Sequence, residues 1–124
     1  MKKKMDCIFC NIIKNQNKEN IICEDEKYIS IYDINPVTEG HALVIPKNHC
    51  INLLDAPDDT LIGMMQFIKK TAEIIIQNKK ATGFNVLNAN GIDAQQSVAH
   101  LHFHIIPRYK NDQKDLWIKQ KTND

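Results

Sequence analysis

"AHLHFHIIPR", residues 99–108, sets three histidines at alternate positions in a chain that holds only five. In a β-strand successive side chains point to opposite faces, and each residue advances about 3.3 Å. Read as part of a strand "VAHLHFHIIP", the stretch places His100, His102 and His104 on one face, about 6.6 Å apart along the chain. Leu101, Phe103 and Ile105 occupy the other face, where they can pack beneath a helix. One face is core and the other is chemistry. A merely exposed face would be served equally well by Thr, Lys or Glu. A neutral imidazole can instead bind metal, attack an electrophile or relay a proton near neutral pH.

Outward from that strand the chain alternates short apolar runs with turn chemistry. Residues 7–14 read as a short helix or turn, with Ile8, Phe9, Ile12 and Ile13 at helical spacing. "IICE" and "KYISIYDI" are two short strands joined by a tight turn at Asp25 and Glu26. "INPVTEG" is a loop, since Asn-Pro disfavours helix and Gly40 lets the chain turn, and "HALVIP" is a strand stopped by Pro46. The longest periodic segment runs from about Asp58 to Lys80. Leu61, Ile62, Met65, Ile68, Ala72, Ile75 and Ile76 form its apolar stripe, with Asp58 as N-cap and Gly83 just beyond its end. "FNVLNA" is a further strand and "NGIDAQQS" a loop. After Tyr109 the tail is polar and loose, with one docking contact expected at Trp117. Consecutive strands with one long inserted helix favour an antiparallel α+β domain over alternating βαβ units.

At 124 residues the chain is long enough for one domain with a real core and too short for two. A single domain over 1–124 is expected, with a core of about 5–109 and a polar tail at 110–124. Lys plus Arg number 16 against 15 Asp plus Glu, a net charge of +1 that argues against a broad nucleic-acid surface. "MKKKMD" is basic like the start of a signal peptide, but the following residues turn polar before an apolar run develops. No stretch approaches the roughly 20 apolar residues of a membrane span. No membrane partner and a cytoplasmic location are expected, where the four cysteines stay thiols or bind metal.

"CIFC", residues 7–10, has the C-x-x-C spacing that lets two thiolates bind one zinc ion from a tight turn. A redox pair and two buried, unliganded thiols are the other readings; no βαβ context supports the first. Zinc would need two further ligands. Cys50 is a weaker candidate, because its side chain should diverge from that of His49, and Cys23 reads as core.

"HLHFHII" resembles the motif of the histidine-triad (HIT) nucleotide hydrolases and transferases. "CIFCNII", "YDINPVTEGHALVIPKNH" and "QSVAHLHFHIIPR" are similar to that family in order and spacing, so the resemblance covers roughly residues 5–109. It implies a HIT-like fold: an antiparallel sheet of about five strands, one long helix, one short N-terminal helix, and a homodimer joined through the long helix and the edge strand "FNVLNA". It implies a two-step transfer in which His102 attacks the α-phosphorus of a purine nucleotide derivative and water then releases the nucleoside monophosphate. The other ring nitrogen of His102 must hold the proton, donated to a backbone carbonyl. His104 and Ser97 would contact phosphate oxygens or the leaving group, and Gln96 and Asn88 belong to the same nucleotide site. Asp33 would accept from both ribose hydroxyls. Phe9, Ile12, Ile31 and Leu43 would wall the purine, and His41 is a further active-site histidine. The implied zinc ligands beside Cys7 and Cys10 are His49 and His100, a closed and therefore structural Cys₂His₂ site.

The chain departs from the family pattern at two positions. Gln95 stands where a glycine usually precedes Gln-Ser, and Ala89 where Asn or Gln is common, leaving Asn88 or Asn90 to replace that contact. The resemblance implies hydrolysis of nucleoside phosphoramidates or related nucleotidyl conjugates, releasing AMP or GMP. Cleavage of dinucleoside polyphosphates is the enzymatic alternative, and a zinc-stabilised nucleotide-binding or scaffold protein is the non-enzymatic one.

Overall fold

The computed structural model describes residues 7–15 and 18–119. The outer ends of the expected core and tail, residues 5, 6 and 120–124, lie outside them. Helix α1 (Ile8–Asn15) is followed by strands β1 (Ile21–Glu24), β2 (Tyr28–Tyr32) and β3 (Ala42–Pro46), helix α2 (Asp58–Lys79), and strands β4 (Gly83–Leu87) and β5 (Phe103–Arg108). The strands form one sheet in the order β1-β2-β3-β5-β4, with every neighbouring pair antiparallel. The fold is the antiparallel α+β arrangement expected. No described helix is long and apolar enough to cross a membrane.

Each turn has a local cause. The Asp25 carboxylate accepts from the N–H groups of Lys27 and Tyr28, both at 2.8 Å, and so closes the β1–β2 hairpin. Gly40 sits at φ +88°, a conformation costly for any side chain, just before β3. Helix α2 starts differently from the expectation: Pro57, not Asp58, is the N-cap residue, and no side chain caps the helix. Asp58 and Asp59 act there through charge, in the first turn where the helix dipole favours carboxylates. The chain leaves α2 through Lys80 in the left-handed region, φ 58°, and Gly83 opens β4 instead of capping the helix.

Two apolar layers flank the sheet. Beneath α2 lie Val44, Leu101, Phe103 and Ile105, meeting Met64, Phe67, Ile68, Ala72 and Ile75. On the opposite face Cys7 and Phe9 pack with Ile29, Ile31, Leu43 and Ile45. The stripe of α2 is corrected at two places: Ile62 and Met65 are 68% and 59% exposed, while Met64 and Phe67 are buried. Cys50 is buried in the α2 layer and Cys23 packs against it, so neither faces the other thiols. A fully buried hydroxyl pair also links α2 to β2, Thr71 Oγ1 to Ser30 Oγ at 3.0 Å. Trp117 is 77% exposed, so among the described residues it makes no docking contact of the expected kind. Arg108 instead anchors the tail, pairing with Asp112 through two hydrogen bonds of 2.9 and 3.0 Å.

Candidate functional site: a row of histidines beside a thiol pair

The strand expected from Val98 onward begins at Phe103, so His100 and His102 precede it. The alternation of faces persists nonetheless, because Leu101 is in the α2 layer while the histidine rings meet on the α1 side. Ring centroids run His49–His100 at 4.7 Å, His102–His104 at 5.1 Å and His104–His41 at 5.2 Å. Phe9 of α1 lays its ring edge-on against both His100 (5.8 Å) and His102 (5.0 Å). All five histidines of the chain thus stand in one row.

Hydrogen bonds set which ring nitrogen holds the proton in His100, His102, His41 and His104. His100 Nε2 lies 2.8 Å from the Pro46 carbonyl oxygen and donates to it, which puts the lone pair on Nδ1. That lone pair points at Cys7 Sγ (3.2 Å) and Cys10 Sγ (3.6 Å), and His49 Nδ1 is 3.4 Å from Cys10 Sγ. The four donor atoms lie within 4.8 Å of one another. Bond lengths typical of zinc require sulfur–nitrogen edges of about 3.6 Å in a tetrahedron, so the donor set and its spacing fit that ion. Four such donors would leave no open position on a tetrahedral ion.

His102 is oriented the other way. Its Nδ1 donates to the His100 carbonyl oxygen at 2.9 Å, so Nε2 carries the lone pair. Val37 N–H donates to His41 Nδ1 at 3.0 Å, so His41 carries its proton on Nε2 and donates to His104 Nδ1 at 3.0 Å. His104 is thereby left with an Nε2–H donor. Asp33 Oδ2 stands 3.5 Å from His41 Nε2. Asp33, His41 and His104 also offer ligand atoms within 4.8 Å, but His41 Nε2 holds a proton in this arrangement and is not a free donor for metal.

Burial keeps these rings neutral. His102 is 4% exposed, and loss of hydration pushes its pKa down, opposed by its bond to the His100 carbonyl and by Asp33. His41 is lowered by burial against the pull of Asp33. His104 falls furthest, to about 4, through burial and then the neighbouring His102 and His41. At pH 7 the site holds a neutral His102 with its lone pair on Nε2 beside a neutral His104 that carries an Nε2–H.

Phe9, Ile31 and Leu43 are buried and Ile12 is partly buried, all in the α1 layer. Asp33 lies just past the end of β2, its Oδ1 accepting from Asn35 N–H at 2.8 Å. At the other end of the row a cleft of about 620 Å³ is lined by Ile8, Ile51, Ile92, Gln96, Ser97 and Val98 among others. Ser97 is exposed at this cleft. The amide of Gln96 is bonded to its own loops: Oε1 accepts from Gly91 N–H, and Nε2 donates to the Ile51 and Val98 carbonyls. Asn88 is likewise bonded within the protein, to the His102 carbonyl. Gln95 holds the left-handed conformation, φ 68°, that a glycine would adopt freely. The amide network of Asn88, Asn90 and Gln96 has no distinct sequence signature, because these residue types are ordinary loop chemistry.

Proteins similar in sequence and in shape carry the same frame. The chain is 43% identical over 121 residues to adenosine 5'-monophosphoramidase HNT1 of Saccharomyces cerevisiae, covering 94% of this chain and 73% of the yeast protein. It is 43% identical over 106 residues to an uncharacterized HIT-like protein of Methanocaldococcus jannaschii, covering 86% of this chain and 81% of the relative. The crystal structure of a Zn-bound histidine triad family protein from Mycobacterium smegmatis matches with a TM-score of 0.84 and 35% identity, over 96% of this chain and 86% of that one. The family model for the HIT domain matches residues 14–111, which span both the Asp33–His41 corner and the alternating histidines. The chain whose five histidines line up in this way belongs to the HIT family.

Proposed function

We propose that the protein hydrolyses nucleoside 5'-phosphoramidates or related nucleotidyl conjugates through a covalent nucleotidyl-His102 intermediate, releasing AMP or GMP. The observation that carries the reading is the tautomer of His102: Nδ1–H is tied to the His100 carbonyl, so the Nε2 lone pair is available beside the His104 donor. In the first step Nε2 attacks the α-phosphorus, the P–N bond breaks, and the amine departs with a proton taken up at its nitrogen. His104 Nε2–H would donate to a phosphate oxygen or to the leaving group, and Ser97 would contact the same groups. In the second step water attacks phosphorus, the P–Nε2 bond breaks, its electron pair returns to His102, and a proton is released.

Asp33 would accept from the ribose hydroxyls at one end of the row, and Phe9, Ile12, Ile31 and Leu43 would enclose the purine. His41 acts there through His104, whose proton it places. Cys7, Cys10, His49 and His100 would hold one zinc ion, which when bound ties α1 to the histidine segment and takes no part in attack. The protein would work as a homodimer in the cytoplasm, where its thiols stay reduced.

The test is a rapid quench with α-labelled adenosine phosphoramidate. Wild type should yield an acid-labile nucleotidyl adduct and AMP. His102→Ala should yield neither while keeping zinc content and AMP affinity, and His102→Gly should regain some turnover with free imidazole. Turnover by His102→Ala at the wild-type rate would falsify the nucleophile assignment.

A further inference from the structure

Strands β4 and β5 stay paired from Gly83↔Arg108 to Leu87↔His104, so their ladder stops short of His102. A buried backbone carbonyl beyond the end of a ladder needs another donor. Asn88, the first residue after β4, supplies one: its Nδ2 donates to the His102 carbonyl oxygen at 2.9 Å. Its Oδ1 accepts from Asn90 Nδ2 at 2.6 Å, and Asn90 Oδ1 accepts the N–H of Leu53 at 2.8 Å. The polarity of this chain of bonds is forced. The Leu53 N–H can only donate and the His102 carbonyl can only accept, so each amide must turn its oxygen toward Leu53 and its nitrogen toward His102.

We infer that Asn88 and Asn90 are positioning residues for His102, fixing the peptide plane that carries the nucleophile from a turn on the far side of the cleft, and are not contacts to the nucleotide. The inference rests on the reading of His102 as the nucleophile. His102 is then held twice: its ring through Nδ1 to the His100 carbonyl, and its main chain through Asn88. The donor end is equally well anchored. The turn bearing Leu53 is closed by Asn52 Oδ1, which accepts from Leu54 and Asp55, and by Asp55 Oδ2, which accepts from Ile51 N–H. Gln96 bonds the Ile51 carbonyl to the loop that carries Gly91, next to Asn90. In-line attack demands that Nε2 sit within a few tenths of an ångström of its reactive position, so releasing the carbonyl slows the chemistry without weakening nucleotide binding.

The variants follow from the polarity. Asn88→Ala removes the donor. Asn90→Asp is sharper, because a carboxylate cannot donate to Asn88 Oδ1. Asn88 must then turn its amide to donate to the new carboxylate, which brings its own oxygen against the His102 carbonyl. Asn90 does not touch His102, so an effect there reports transmission. On zinc-loaded full-length protein, three quantities decide: adduct formation in a single turnover at saturating adenosine phosphoramidate, the Kd of AMP, and the ring ¹⁵N resonances of His102. We expect both variants to slow adduct formation about tenfold or more and to leave the Kd of AMP within about twofold. The His102 resonances should move in both, and the double variant should be no slower than Asn88→Ala. A weakened Kd with normal adduct formation at saturation would make Asn88 a nucleotide contact and overturn the inference, as would unchanged rates and resonances in both variants. Should Asn88→Ala fail to fold, Asn90→Asp decides alone. If wild type forms no adduct, the proposed function fails, and the His102 resonances in Asn90→Asp still decide whether the positioning holds.

Discussion

At the scale of single residues, one hydrogen bond to the main chain decides which nitrogen of His100 and of His102 carries the lone pair. The Pro46 carbonyl leaves His100 with its lone pair on Nδ1, toward the two thiols, and the His100 carbonyl leaves His102 with its lone pair on Nε2. Rings two residues apart therefore present opposite nitrogens with the same side chain. Burial adds a pH dependence whose sign can be worked out. His104 stays neutral in the folded protein down to about pH 4, whereas in the unfolded chain it takes up a proton near its ordinary 6.5. Between those values the unfolded state binds more protons, so this contribution to stability is complete above about 6.5 and is lost progressively as the pH falls toward 4. His104→Gln has no ring to protonate. The stability of wild type relative to this variant should fall from pH 7 to pH 4.5, as read by urea unfolding at each pH. A pH-independent difference would show that His104 is not held neutral. For the same reason the free-enzyme rate profile, kcat/KM, should keep its plateau below pH 6.5 instead of bending there.

At the scale of elements, α2 and the hairpin strands meet through one close approach. A Cβ on Gly63 would lie 2.3 Å from the Tyr28 hydroxyl, which donates to the Thr60 carbonyl at 2.7 Å. Tyr28 also rests its ring on Phe67, with centroids 5.5 Å apart. Gly63→Ala gains about 1 kcal/mol of helix propensity and forces Tyr28 out of both contacts, at a cost of roughly 1–3 kcal/mol. The net effect should be destabilising, and Tyr28→Phe in the Gly63→Ala background should recover part of it. A melting temperature raised by Gly63→Ala alone would refute the packing argument. This contact also marks where sequence reading reaches its limit. Alternation identifies Leu101, Phe103 and Ile105 as core and the histidines as a separate face, and the structure has that division. It does not locate the start of β5, because strand length depends on a partner, and β4 ends at Leu87. Periodicity locates α2 but misassigns Ile62 and Met65, since an apolar residue on a helix can face the sheet or a second apolar surface. C-x-x-C can name two thiols, whereas the return of His49 and His100 to them depends on tertiary structure.

At the scale of the whole molecule, the proposed zinc site would join three distant pieces of chain: the start of α1, the segment after β3 and the approach to β5. Metal affinity for such a folded set is folding free energy, so Cys7→Ser should lose stoichiometric zinc and melt at a lower temperature. Zinc content is read by elemental analysis of protein purified without chelator, and a metal-free wild type of unchanged stability would remove the site from the account. The other large-scale feature is an apolar surface that the fold leaves uncovered. Ile62 and Met65 on α2 are exposed, as are Phe84, Val86 and Leu87 of β4, at 46%, 40% and 42%. A cleft of about 520 Å³ lies between α2 and β4, with Met65, Ile68, Ala72, Ile76, Phe84 and Val86 among the residues on its walls. β4 is also an edge strand, so its outer hydrogen-bonding groups and its apolar side chains are presented together. A second copy related by a two-fold axis would cover both at once, because helix would meet helix and edge would meet edge. Val86 lies in neither apolar core layer, so Val86→Lys should leave folding and zinc content intact. Placing a charge in that surface should convert a dimer to a monomer in sedimentation at micromolar concentration. A monomeric wild type under those conditions would refute a second copy as the cover of that surface.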